Sequence, residues 1–392
     1  MRIPDGFEQR DNTVLRLKRS LYGLKQAPRS WNTMLHDWLL TQDLQQSKVD
    51  PCLYFIPGRL WLAFWVDDFL IVGASPDITS TFKAAISARF KMRDMGPAKH
   101  FLGMEISRDR SNRTITLSSR SHIDELLERF GMADCKSAAT PLPSKSALVE
   151  CTKEDDRLPA SVPYRAVVGS LLYVATWTRP DIAFAVSQIA RFQSCPSVDH
   201  WQAAKHIMRY LQGTRSMGLT LGSGAQHSTG APLSAALKGF VDASWGEDPG
   251  TRRSQSAYIF TLGLGAISWR TKLQQTVALS STEAEYLSLS DAVKDALFLR
   301  NLLADLCPSV LAHGVVLFED NQSTIKQSLN TESSARTKHI DIRHHFFKQH
   351  VSNGDVTLEY IPTEDQVADA LTKNLDRVKV SRFRQIMLGG CE

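Results

Sequence analysis

The chain has 392 residues, 43% hydrophobic and 22% charged, which suits a folded protein of two or three domains at roughly 150 residues each and argues against long disorder. Lys plus Arg outnumber Asp plus Glu by 46 to 41, a net charge of +5 too mild to name a partner, although residues 1–31 gather Arg2, Arg10, Arg16, Lys18, Arg19, Lys25 and Arg29 against only Asp5, Glu8 and Asp11. The 6 scattered cysteines form no C-x-x-C pair, Met1 to Gly6 has no signal-peptide core, and the longest apolar run, Leu60 to Val66, falls far short of the about 20 residues of a membrane span, so an intracellular, reducing setting is expected and secreted and membrane-spanning classes drop out.

In chain order, Ser30 to Leu44 has helical spacing. Leu53 to Ile56 and Trp61 to Val72 are rich in aromatic and branched residues and read as strands, with Asp67-Asp68 at a hairpin tip between two such runs. Thr140 to Ser146, followed by the acidic Glu154-Asp155-Asp156, reads as a surface connection. Tyr164 to Thr176, Pro180 to Gln193 and Val198 to Leu211 look helical. Gly222 to Gly230, rich in Gly and Ser, reads as a linker. These breaks predict segments 1–140, 141–222 and 235–380. The last is expected to hold strands at Leu237–Ala243, Ser256–Leu262 and Ala266–Trp269, then a helix from Thr282 to Leu306. Strand 315–319, helix 321–329, helix 340–351, strand 356–361 and helix 366–373 follow, an order that predicts a mixed α/β (α+β) sheet.

Four carboxylates in the last segment need a reason. Asp is disfavoured within strands, so Asp242, inside Phe240 to Trp245, marks either a strand end or a working group. Ser280-Ser281-Thr282-Glu283-Ala284-Glu285 opens the long helix with two overlapping capping boxes. Helical periodicity separates the glutamates: Glu285 lines up with Leu289, Ala292, Ala296, Leu299 and Leu303, whereas Glu283 lines up with Leu287, Ser290 and Lys294. A capping Glu faces solvent, and one aimed at the sheet wants a charged partner or a metal, so Glu283 takes the cap and Glu285 the functional role. Asp320 suits a helix N-cap as well as a strand-end ligand position. Asp369 suits a helix dipole as well as a ligand.

Their order is strand Asp, helix Glu, strand-end Asp, helix Asp. Together with Phe240 to Trp245, Ala278 to Tyr286, Asp320 to Ser323, Thr337 to Phe346 and Ala368 to Lys373, the segment resembles the ribonuclease H domain of copia-type LTR retrotransposon polyproteins. The stretches Arg16 to Trp31 and Phe64 to Gly73 resemble the reverse transcriptase of the same family. Phe101 to Ile106, Ala139 to Leu142, Tyr164 to Tyr173, Thr178 to Ala183 and Arg209 to Thr214 extend the likeness over nearly the whole chain. The resemblance implies a palm and thumb-connection remnant followed by a ribonuclease H-like mixed sheet, acting on RNA–DNA hybrids and other nucleic acid and belonging with the rest of a retrotransposon polyprotein.

By that resemblance Asp242, Glu285, Asp320 and Asp369 hold two Mg²⁺ ions, with Mn²⁺ as a substitute, and hydrolyse RNA in RNA–DNA hybrids. Cellular relatives often place a His before the last Asp; Ile361 to Asp365 has none, so no proton-shuttle His is assigned. In the polymerase part Asp67 and Asp68 match the metal-binding hairpin, Trp65 stands where the family usually has Tyr, and Tyr22, Gly23 and Lys25 match the segment lining the nucleotide pocket. The family's third polymerase Asp belongs to an earlier strand, and the sequence begins after it, so this module is expected to be incomplete. Arg16, Lys18, Arg19, Lys25 and Arg29, with Lys338, Arg343 and Lys348, are the expected nucleic-acid contacts, against a solvated-face reading for each group. The His-rich stretch 339–350 lacks His-Glu-x-x-His spacing and a nearby Cys, so zinc is not expected. The competing reading is a decayed or domesticated copy that binds nucleic acid without catalysis.

Overall fold

The structure, a computed structural model, describes residues 14, 16–18, 20–21, 23–143, 147–222, 237–307, 314–329 and 341–390, with the side chains of Asp155, Leu329 and residues 341–345 outside that description. Packing divides the chain into two compact units, up to Asp94 and from Met95 onward.

The first unit starts with helix α1 (Ala27–Leu40), opened by Pro28 in its first turn. An antiparallel meander follows: β1 (Gln45–Gln46), β2 (Leu53–Ile56), β3 (Leu60–Trp65) and β4 (Asp68–Gly73), in that spatial order. Helix α2 (Pro76–Arg89) closes the unit; Ser75 caps it by accepting the Ile78 N–H, and Asp77 sits in the first turn, where the helix dipole favours an acid. Leu35 and Leu39, one helical turn apart, pack with Tyr54, Leu62, Phe64, Phe82 and Ile86. The β3–β4 hairpin pairs Trp65 with Asp68, so Val66 and Asp67 form a two-residue turn. Val66 takes φ of 58°, a left-handed conformation costly for a β-branched residue.

The second unit opens with β5 (His100–Phe101), β6 (Met104–Asp109) and β7 (Thr114–Ser118). Helices α3 (Arg120–Arg129), α4 (Tyr164–Trp177), α5 (Ala183–Ala190) and α6 (Val198–Gly213) lead to β8 (Leu219–Gly222), which returns to pair with β7. The α6 start carries a capping box between Ser197 and His200. Among these helices lies Arg179, fully buried, paired with Asp181 through two bonds of 2.8 and 2.7 Å and bonded to Thr214. Tyr210 donates to the same Asp181 carboxylate at 2.7 Å. A buried pair survives only when its remaining donors and acceptors are met, as they are here.

The last sheet has the order β11 (Gly265–Leu273), β10 (Gln255–Leu262), β9 (Leu237–Ser244), β12 (Val315–Glu319), β13 (Val356–Tyr360). Strands β9 to β11 run antiparallel, while β12 and β13 join β9 in parallel, as the mixed-sheet expectation requires. Gly239 must be glycine, because a Cβ would lie 2.4 Å from Leu317 and 2.7 Å from the Phe260 ring. Helix α7 (Ser281–Leu306) lays Leu289, Ala292, Val293, Ala296 and Leu303 on one sheet face, against Val241, Phe260 and Leu317. Helices α8 (Gln322–Leu329) and α9 (Asp341–Ser352) precede β13. Residues 366–373, expected to be a helix, instead form a 3-10 turn at Val367–Leu371, with Gln366 accepting the Ala368 N–H. Helix α10 (Arg377–Leu388) ends the chain on Gly389 in the left-handed conformation.

The expected boundaries at 140 and 222 fall inside the second unit. Ile123 and Leu126 of α3, Val174 of α4 and Ile207 of α6 share a core with Phe240, Ile259, Leu371 and Phe383. Trp269 Nε1 donates to the Ala175 carbonyl at 2.9 Å, tying β11 to α4. No helix among the described residues is long and apolar enough to cross a membrane.

Candidate active site

The strand register builds one side of the site. β12 pairs with β9 through Val316–Lys238, Leu317–Gly239 and Phe318–Phe240. Two residues beyond the last pair stand Asp320 and Asp242, at the same end of neighbouring parallel strands. Asp242 is only 2% exposed. Ser288 of α7 donates to its carbonyl at 2.9 Å, and Gln366 donates to the Val241 carbonyl at 2.9 Å, so helix and 3-10 turn are both fastened to β9 beside the carboxylate.

Helix α7 supplies Glu285, which is buried, and places Glu283 at its exposed start. Ser280 accepts the Glu283 N–H at 3.1 Å, and the Glu283 carboxylate accepts the Leu279 N–H at 2.8 Å. The 3-10 turn supplies Asp369. Oxygens of Asp242, Asp320 and Asp369 lie within 4.8 Å of one another, as do those of Glu285, Glu319 and Asp320. The structure thus gathers all four carboxylates picked out from the sequence, with Asp320 common to both groups. The cleft over Asp242, Glu285 and Asp320, about 450 Å³, is also lined by Trp245, Gln322 and Lys373.

Among the described residues one internal cation partly balances the cluster. Lys373 Nζ sits 2.9 Å from Asp369 and 3.6 Å from Asp242. Thr372 donates to Asp242, and Thr363, in the loop after β13, donates to Asp320 at 2.7 Å. Burial pushes the Asp242 carboxyl up to about 7; Lys373 opposes the rise, and Asp369 and Asp320 add to it. Burial likewise lifts Glu285 well above the carboxylate range, with Glu319 and Asp242 adding to the rise. Glu319 is lifted well up by the same cause, and Asp369 also rises. Burial works against the charge of Lys373, but Asp242 and Asp369 hold its pKa above the ordinary value.

Oε2 of Glu285 and Oε2 of Glu319 are buried and have no hydrogen-bond partner among the described residues. Buried carboxylates in that state call for a proton or a cation. The donors are all oxygens, which suits a hard divalent ion such as Mg²⁺ or Mn²⁺ and disfavours zinc. By their donor chemistry the residues therefore fit the ions that the resemblance implies.

Other expected site residues lie elsewhere. Asp67 and Asp68 are exposed at the β3–β4 tip of the first unit, beside an exposed Trp65. Arg16, Lys18, Gly23, Lys25 and Arg29 are exposed in the same unit. Arg19, Tyr22 and Lys338 lie outside the described residues, and Arg343 is described only as backbone in α9. Lys348, also in α9, is half-buried, and burial lowers its pKa.

Sequence reasoning missed Glu319, Lys373, Thr363 and Thr372. For Glu319 a signal existed: β12 alternates, Val315 and Leu317 point inward, and Glu319 continues their face. Lys373 stands four residues after Asp369, but its role depends on a 3-10 turn that no local pattern announces.

A family model described as Reverse transcriptase (RNA-dependent DNA polymerase) matches residues 1–144. The chain is 38% identical over 397 residues to the Retrovirus-related Pol polyprotein from transposon TNT 1-94 of Nicotiana tabacum, covering 99% of this chain and 29% of that relative. It is 34% identical over 298 residues to a transposon Ty5-1 protein of Saccharomyces cerevisiae, covering 74% of this chain and 93% of the relative. Among solved structures it is similar to the foamy viral protease-reverse transcriptase in complex with RNA/DNA hybrid, at 12% identity and a TM-score of 0.47, covering 88% of this chain and 39% of that one. The chain thus spans less than a third of the tobacco polyprotein's length.

Proposed function

We propose, from the premise that the chain belongs to the copia-type retrotransposon Pol family, that its carboxylate cluster hydrolyses the RNA strand of RNA–DNA hybrids with Mg²⁺. The observation that carries this is the convergence of Asp242, Glu285, Asp320 and Asp369 from two strands, a helix and a 3-10 turn around buried oxygens that lack partners. Such a gathering of buried like charges weakens a fold unless ligand binding offsets it.

In this reading Asp242, Asp320 and Asp369 hold one divalent cation, and Glu285 and Asp320 face the other. Two such ions, when bound, activate a water and stabilise the leaving 3′ oxygen of a phosphodiester. The chain's own groups orient the ligands. Thr363 fixes the Asp320 carboxylate, Thr372 fixes that of Asp242, and Gln366 holds the Asp369 turn to β9. Lys373 keeps an ammonium between Asp369 and Asp242, where it limits their repulsion. The exposed face of Trp245, its Nε1 donating to the Ala278 carbonyl at 3.0 Å, gives the cleft an apolar wall against which a sugar or base rests.

In the first unit the exposed Arg16, Lys18, Lys25 and Arg29 contact nucleic-acid phosphate, and the Asp67-Asp68 hairpin belongs to an RNA-directed DNA polymerase module. That basic stretch favours a second reading, nucleic-acid binding without cleavage. One experiment separates the two: the purified chain is incubated with end-labelled RNA annealed to DNA, with Mg²⁺ and with EDTA. Cleavage that needs Mg²⁺ and disappears in Asp242→Asn supports hydrolysis, whereas retention of the hybrid without cleavage supports the second reading.

A further inference from the structure

The carboxylate cluster has two sides, and among the described residues only one of them holds a cation of the chain's own. Lys373 lies against Asp369 and Asp242. On the other side are Glu285, Glu319 and Asp320, whose oxygens lie within 4.8 Å of one another. Glu319 is the last residue of β12 and is 0% exposed. One of its oxygens accepts the Asn321 N–H at 3.0 Å, which aims the carboxylate back over the strand end. Its other oxygen and Glu285 Oε2 are buried with no hydrogen-bond partner among the described residues.

We propose that Glu319 is a fifth carboxylate of the site and, with Glu285 and Asp320, closes a second divalent-cation position distinct from the one bounded by Asp242 and Asp369. The proposal rests on the hydrolytic reading only in taking a divalent cation as the occupant. Three features point to a cation rather than to a structural acid. The two oxygens without partners belong to different elements, a helix and a strand, on carboxylates that each bring an oxygen within 4.8 Å of the other. The backbone N–H on Glu319 fixes one oxygen and leaves the other to a ligand. The donor set is oxygen alone, as Mg²⁺ and Mn²⁺ prefer. If Glu319 were a neutral buried acid, it would bond Glu285 through a shared proton, and its amide analogue would bind metal as the wild type does.

Mn²⁺ is the probe, added to the full chain and followed by isothermal titration calorimetry. The wild type is expected to bind two ions. Glu319→Gln is expected to weaken one of them by at least the roughly 10–100-fold seen when a group behind a ligand is changed, and to leave the other unaltered. Asp369→Asn is expected to weaken the other ion instead. Should Glu319→Gln fail to fold by circular dichroism, Glu319→Asp decides by the same criterion, since it keeps the charge and withdraws it by one methylene. Equal binding by wild type and variant overturns the proposal, as does a wild type that binds fewer than two ions. A wild type that binds two ions but leaves an RNA–DNA hybrid uncut refutes the hydrolytic reading, and the calorimetry still decides Glu319.

Discussion

Replacing Asp242 with asparagine separates the chemistry of the cluster from its cost to the fold. The side chain is 2% exposed, and its carboxyl is pushed from 3.8 up to about 7, by burial first and by Asp369 and Asp320 on top of it, against the pull of Lys373. A difference of about three units at roughly 1.4 kcal/mol each means that ionised Asp242 costs the metal-free fold up to about 4 kcal/mol at pH 8. Asparagine has nearly the same shape, still accepts a bond from Thr372, and carries no charge to desolvate. In EDTA at pH 8, Asp242→Asn should therefore melt higher than the wild type, on the order of 10 °C at roughly 2–4 °C per kcal/mol. The same substitution should abolish hybrid cleavage while leaving hybrid binding in place. Differential scanning fluorimetry and a labelled-RNA cleavage assay on one preparation test both halves. A variant that melts lower than the wild type in EDTA, or that still cuts, would refute the reasoning.

Three further outcomes follow from the same geometry. Glu285→Gln should eliminate hybrid cleavage, whereas Glu283→Gln should lose only the carboxylate that accepts the Leu279 N–H, cost about 1 kcal/mol or less and remain active; equal loss in both would undo the helical-face assignment. In the metal-free chain the carboxyls of Asp242, Glu285, Glu319 and Asp369 all stand above their ordinary values, so these four groups bind more protons in the native state than in the unfolded chain, against the opposite and less numerous contribution of His200 and His206, whose pKa values burial lowers. Stability by urea titration in EDTA should accordingly fall as pH rises from about 4 through about 7, and saturating Mg²⁺ should flatten that slope; a rise across the window would contradict it. Arg179→Ala should strand Asp181 without its bidentate partner and destabilise the second unit by about 3–5 kcal/mol, and a loss under 1 kcal/mol on chemical denaturation would show that the pair is dispensable.

Much of the last sheet was legible because its signals are local. The runs that became β9 and β10 carry branched and aromatic residues, and the phase of α7 put Glu285 with Leu289 and Ala292 on the buried face. Glu319 is hidden within an apolar strand run, although the alternation of Val315 and Leu317 sets its phase. The sheet of β5 to β8 was invisible for a different reason. Thr116 meets Thr220 across 104 residues, and such pairing is decided by tertiary packing. Helix α10 carries Val380, Phe383 and Met387 at helical spacing, but the strands it packs on, β8 and β11, are not its neighbours in sequence. The segment boundaries at 140 and 222 followed composition, whereas the core follows contact across them. The 3-10 turn at Val367–Leu371 escaped detection because its acid and its lysine are drawn toward β9 rather than along a helix.

The shared core bears on how the gene for such a chain wears out. Ile123, Tyr210, Leu371 and Phe383 belong to one packed cluster, and Trp269 of β11 hangs from the Ala175 carbonyl. An in-frame deletion or a proline-creating substitution within α3, α4 or α6 strikes the core on which the Asp369 turn rests, even though it touches none of the clustered carboxylates. Copies accumulating such lesions lose both halves of the second unit at one stroke, not one after the other. A lineage selected for hydrolysis alone would have to keep residues 95–222 intact as the passive foundation of a site to which they contribute none of the clustered acids.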